Sequence, residues 1–281
     1  MLKQRIITAL ALVGLLVAAL AIDNPLPFAL VTLFLTAAAG WEWVSLNQGG
    51  KVVSVLLGIA VAAMGLLALL AGWKTEAPVG LWWLAVALWG VGGFFALHSG
   101  PAAWPSLPKP VRWTLGLVAL CLTWLALLQA RAIGINYLLS VFCLVWMADV
   151  AAYFGGRAFG KRKLAPSISP GKSWEGVWSG MLGVLLLALL WMWLDSRFAF
   201  DSDSVFTRLQ HSLGWLLCAI ALLALCGLSV VGDLLESLVK RAAGAKDSSR
   251  LLPGHGGVLD RIDALLPVLP AAMALITLGA G

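Results

Sequence analysis

Charge is what this sequence has least of. Only 11% of its 281 residues are charged, whereas a soluble domain carries about 25%. With 61% hydrophobic residues, the folded surface would aggregate in water, so lipid is the solvent for most of it. Paired cysteines are also missing. Cys121, Cys143, Cys218 and Cys226 lie singly inside apolar runs with no C-x-x-C pair. That pattern excludes a thiolate zinc site and a disulfide framework, and the four read as small packing residues. Internal repeats and low-complexity segments are absent as well. The formal net charge is +6. In a soluble protein it would point to nucleic acid; here the charges sit at the ends of apolar runs, and no nucleic-acid partner is expected.

What remains is a series of hydrophobic runs. About 20 apolar residues are needed to cross roughly 30 Å of hydrocarbon as a helix. That window predicts nine spans, near 5–22, 26–46, 52–71, 79–97, 112–130, 134–154, 175–194, 212–232 and 264–280. The breaks between them are polar or hold Pro and Gly, as at Asn24-Pro25 and Asn47 to Gly50. The fold class is therefore all-α, a polytopic membrane bundle forming one integral membrane domain over 1–281. Its first 140 residues are spans. A catalytic region over 141–265 carries two cytoplasmic loops, and the last span occupies 264–281. Ala19-Leu20-Ala21 has the spacing of a signal-peptidase site, and cleavage there would leave the later topology unchanged. The 15 Trp suit membrane interfaces, although Trp82 and Trp83 can equally pack between helices. With the N-terminus inside, 15 of the 19 Lys and Arg fall on inner segments. Only Lys74, Arg131, Arg197 and Arg208 fall outside. This asymmetry predicts a cytoplasmic N-terminus.

Two long inner loops, about 155–174 and 233–263, hold ten of the basic residues together with several acids and glycines. A plain anchor needs only the cations. Asp233, Glu236, Ser237 and Lys240 are spaced to share one helical face. An acid at the end of an apolar span defaults to a functional reading, against the plain alternative of a solvated helix end. Downstream, Gly254-His255-Gly256-Gly257 can turn backbone N–H groups toward phosphate. Asp260 and Asp263 follow one helical turn apart, a spacing that suits Mg²⁺ but also an ordinary acidic first turn. In the other loop, Asp149 closes an apolar run. Gly171-Lys172-Ser173 imitates the end of a P-loop, but Pro166 stands where that motif needs Gly. Lys172 gripping phosphate and a basic loop on anionic lipid heads are both open. Glu42, in the second span, reads as structural. His98 and His211 look like interface residues.

The 27 residues from Ser237 to Asp263 resemble the signature of the phosphatidate cytidylyltransferases, also called CDP-diacylglycerol synthases. The key stretches are Ser237-Leu-Val-Lys-Arg, Lys246-Asp247 and Leu252 to Asp263. Gly232-Asp233-Leu234 and Glu236 extend the likeness. Asp149 to Gly156, with Ser169-Pro170, Lys172 and Glu175-Gly176, resembles the family's other characteristic stretch. There the family often has a basic residue in place of Gly171 and Thr in place of Ser173. The first 140 residues resemble the family only as hydrophobic spans. The resemblance implies conversion of CTP and phosphatidic acid to CDP-diacylglycerol and pyrophosphate, with Mg²⁺ and a second cation left open. Asp233, Asp260 and Asp263 would hold metal. Lys172, Lys240, Arg241 and Lys246 would grip phosphates, and the Gly254–Gly257 loop would approach them. Ser173, Ser237, Asp247 and His255 would be secondary members. It further implies a homodimer in the bacterial inner membrane, with the active site facing the cytoplasm.

The nearest rival is a CTP-dependent polyprenol or phytol kinase, which would transfer the γ-phosphoryl group instead. CDP-alcohol phosphotransferases are disfavoured because their D-G-x-x-A-R pattern is absent. A transporter could use Glu42, Asp149 and Asp233, but no internal repeat is visible and the polar residues gather on one side.

Overall fold

The computed structural model describes residues 2–73 and 77–279. Lys74, expected on the outer side, and the end of the last expected span lie outside the described residues.

The chain is a bundle of helices: α1 (Leu2–Leu20), α2 (Leu26–Leu46), α3 (Lys51–Leu70), α4 (Val79–Ala87), α5 (Gly93–Ala103), α6 (Lys109–Ile133) and α7 (Ile135–Phe159), then α8 (Trp174–Arg197), α9 (Val205–Ala242), α10 (Leu259–Ile262) and α11 (Leu265–Ile276). A π-helical turn, Leu88–Gly92, joins α4 to α5. Between α7 and α8, the expected open loop instead folds into an antiparallel hairpin, β1 (Lys163–Ala165) with β2 (Ser169–Ser173). Gly214 adopts φ +74 and breaks α9 into a short first arm and a long second one.

Among the described residues, seven stretches are long and apolar enough to cross a membrane. They are α2, α3, Val79–Ser106, α6, α7, α8 and α9. The last expected span comes out differently from the first. The helix α1 covers nearly all of the first expected span. The 12-residue α11 is buried at every position from Leu266 to Ala274 and packs against α4, α6, α7 and α9. A helix apolar on all sides has to be surrounded, and from Leu266 to Ala274 the surroundings are protein.

The tightest seam joins α7 and α8, where small residues let two backbones approach. A Cβ at Gly176 would lie 2.9 Å from the Ala152 carbonyl, and one at Gly180 2.8 Å from the Ala148 carbonyl. Backbone cannot yield as a flexible side-chain tip does. Gly180→Val is expected to push the helices apart and cost about 1–3 kcal/mol. A lowered melting temperature of the purified protein in detergent would show it; an unchanged one would mean that the seam is looser than its geometry.

Long-range contacts sort the bundle into two ends. At one, Arg131 bonds to the Leu20 carbonyl, Gln129 to the Trp73 carbonyl, and Asp201 accepts from Ile135 and Asn136 N–H. At the other, Trp43 bonds to the Arg112 carbonyl, and Thr8 to the Pro253 carbonyl. The two basic loops share this second end, where the helix partners place them.

Candidate active site

The hairpin exists because its strands are extended by Pro166 and Pro170, each of which biases its preceding residue away from helix. It aims Lys172 back at α9. The Lys172 ammonium lies 2.5 Å from Asp233 Oδ2, and both side chains stay partly open, 26% and 29% exposed. Ser237, one turn on, donates to Asp233 Oδ1 at 3.3 Å. Asp149 of α7 and Asp263 are close enough to Asp233 for their charges to interact. Burial first, and then the Asp233 charge, push the Asp263 carboxyl up to about 7. The neighbouring residue β2 ends on is used locally: Ser173 Oγ accepts from Gly176 N–H and caps α8, a common N-cap role.

Lys240 sits deeper, 13% exposed, and bridges two acids. It contacts Glu236 one turn back, and Asp260 Oδ1 at 2.6 Å. The other Asp260 oxygen accepts from Ser248 N–H at 2.9 Å, Ser248 Oγ at 2.8 Å and Gly257 N–H at 2.8 Å. Burial opposes ionisation of Asp260, but these donors outweigh it and hold the carboxyl at about 2. Since that lies below the ordinary value of 3.8, the anchor is fully present above the ordinary value and weakens only as pH falls through about 2.

The glycine loop closes around these donors. Gly254 and Gly256 take φ +78 and +83, and a Leu252–Gly256 bridge ties the loop's base. A Cβ on Gly257 would lie 2.1 Å from Ser248 Oγ and 2.4 Å from Glu42 Oε1, so only glycine fits there. The Gly257 N–H goes to Asp260 and the His255 N–H to the Leu252 carbonyl. In this state these two donors are engaged within the loop.

Glu42, read from the sequence as structural, holds the site's loop together. It is fully buried. It accepts from Ser248 Oγ at 3.1 Å, Ser249 Oγ at 2.6 Å, Val258 N–H at 3.0 Å and Leu259 N–H at 2.7 Å. One carboxylate on α2 therefore ties down both sides of the glycine loop and the start of α10. The signal was present: an acid in an apolar helix is costly unless satisfied. Its partners, more than 200 residues downstream, were not readable.

The remaining expected residues lie at the rim. Arg241 donates to the Ile168 and Ala245 carbonyls and so ties the hairpin to the end of α9. Lys246 and Asp247 are exposed. His255 Nδ1 is buried with no partner among the described residues.

Among the described residues, no three His, Cys, Asp or Glu side chains stand close enough to form a ready metal cage. The donor chemistry nevertheless suits a hard divalent cation. Asp233 and Asp263 are neighbouring carboxylates whose charges oppose each other, and such cations prefer oxygen ligands and keep several waters. Asp260 differs, because four protein donors occupy its two oxygens.

The cytidylyltransferase family model matches residues 3–278. The phosphatidate cytidylyltransferase of Pseudomonas aeruginosa is 39% identical over 286 residues, spanning 98% of this chain and 97% of the relative. That of Haemophilus influenzae is 36% identical over 291 residues, 96% of each. The Brucella suis enzyme of the same name is 45% identical over 145 residues, 52% of this chain and 47% of its own.

Proposed function

The chain belongs to the cytidylyltransferase family, and on that premise we propose that its two-loop site joins CTP to phosphatidic acid, giving CDP-diacylglycerol and pyrophosphate. The near full-length likeness to phosphatidate cytidylyltransferases carries the reading. The geometry suits it. One substrate is a soluble polyanion and the other keeps its tails in lipid, so the site has to combine cations with a place at the end of the bundle.

A phosphate oxygen of the lipid attacks the α-phosphorus of CTP. The bond from that phosphorus to the bridging oxygen breaks in line, and pyrophosphate departs with the electron pair. No side-chain nucleophile is needed. Lys172, partly open, exchanges its bond to Asp233 for a phosphate oxygen. Lys246 meets the nucleotide from the rim, and Arg241 keeps the hairpin that carries Lys172 against α9. Lys240 keeps Asp260 and the glycine loop in register, with Ser237 steadying Asp233. Asp233 and Asp263 are the residues that would hold Mg²⁺. When bound, the ion supplies charge stabilisation for the leaving pyrophosphate. Fixed cations aimed at the same developing charge lower the barrier without reorganising. The reading includes a bacterial inner-membrane location with the site facing the cytoplasm, supported by the charge asymmetry and the bacterial relatives, and a homodimer, supported by the family resemblance.

The test is direct. Purified protein in mild detergent is given α-³²P-labelled CTP, phosphatidic acid and Mg²⁺, and label is followed into the lipid phase. Transfer that needs both the lipid and Mg²⁺, and that chelation stops, is expected. Label entering lipid only from γ-labelled CTP would replace this reading with a kinase.

A further inference from the structure

A cavity of about 410 Å³ opens beside the glycine loop and runs into the bundle between α1, α2, α6 and α7. That volume falls in the range of ligand pockets. Leu16, Leu35, Trp124, Leu127 and Phe142 line its walls, with His255 and Arg261 at the loop end. We propose that this groove receives an acyl chain of the lipid substrate while Arg261 and His255 face its phosphate end; the proposal rests on the cytidylyl-transfer reading above.

The distribution of polar atoms is the argument. The threonines and Trp124 in the walls are satisfied by backbone carbonyls. Thr32 donates to the Phe28 carbonyl and Thr36 to the Thr32 carbonyl. Thr123 donates to the Ala119 and Leu266 carbonyls, and Trp124 to the Ala29 carbonyl. The walls thus offer a ligand mainly apolar contact, and a polar solute would lose most of its hydration there without compensation. Charge stands at one end alone. There Arg261 provides a cation, and His255 Nδ1 is buried with no partner among the described residues. A ligand with an anionic head and an apolar tail matches that asymmetry. Thr8 of α1 donates to the Pro253 carbonyl at 3.1 Å, which keeps the α1 wall in register with the loop. From Leu12 to Leu20 along α1 the groove is about 12 Å deep at 1.5 Å per residue.

Leu127 marks the deep end and touches none of the residues assigned to phosphate transfer. The ratio of kcat/KM for dihexadecanoyl over dioctanoyl phosphatidate, in mixed micelles at fixed lipid mole fraction, reads the groove. Leu127→Trp removes room for the far part of a long chain, and the ratio is expected to fall about tenfold, the worth of one to two buried methylenes. The KM for CTP stays unchanged. Leu127→Ala, which adds room for the longer chain, is expected to raise the ratio, so the pair remains informative if the Trp variant folds poorly. A wild-type ratio in both variants, or equal loss with both lipids, would overturn the groove assignment and leave a structural bilayer lipid as its occupant. No transfer by the wild type to either lipid would instead overturn the activity reading beneath it.

Discussion

Asp260→Asn is expected to insert and fold, yet to lose about 3 kcal/mol of loop placement, roughly a hundredfold in turnover. The native carboxylate accepts from Lys240 on one oxygen and from Ser248 and Gly257 on the other. An amide has one acceptor oxygen and an NH₂. Whichever way it turns, the NH₂ faces donors. If it faces Lys240, that buried ammonium keeps only Glu236. If it faces the loop, Gly257 and Ser248 lose their acceptor. Transfer of α-labelled cytidylyl to lipid by the purified variant, eluting as a single species, measures the effect. Wild-type turnover would remove Asp260 from the site altogether. The variant also separates two roles. A residue that only binds metal should be rescued in part by raising Mg²⁺, whereas an anchor of loop geometry should not respond.

Glu42→Gln should produce a comparable loss although the residue touches no expected substrate group. Four donors converge on its carboxylate, and hydrogen bonds to a charged group are worth about 1.5–3 kcal/mol each. An amide again turns an NH₂ toward donors in a site closed to water. The loop from Ser248 to Leu259 should then open locally. Arg250 lies exposed in that loop, so the variant should gain a tryptic cut after Arg250 that the wild type resists. Turnover should fall together with that protection. Unchanged turnover with unchanged protease resistance would mean that the loop is held by Asp260 alone.

The parts legible in the sequence are those encoded by spacing. The apolar runs, and the basic residues at alternate ends of them, marked a polytopic helical protein. The stretch Ser237 to Asp263 pointed to the loop between α9 and α11 as the candidate site. Even there, the sequence showed residue types and not their partners. The glycines of the loop suggested donors free for phosphate, but the folded loop uses the Gly257 N–H on Asp260. Lys240 looked like a phosphate ligand, and the fold sets it between Glu236 and Asp260. The hairpin carrying Lys172 was hidden because a three-residue and a five-residue strand leave little alternating pattern to read.

Sequence alone determined that this chain is a polytopic membrane bundle, and it singled out the candidate residues for phosphate chemistry at one end of it. Hydropathy and charge act over a window of neighbours, so they survive without knowledge of packing. Only the tertiary structure decided that α11 is buried rather than one more lipid-facing span, that Lys172 meets Asp233, and that Glu42 of an otherwise unremarked helix holds the glycine loop. Apolar helix faces are nearly interchangeable as sequence. Which of them pack together, and hence which buried carboxylate finds which donors hundreds of residues away, is settled by close approach at positions such as Gly180 and Gly257, where a single added methyl group would collide with its neighbours.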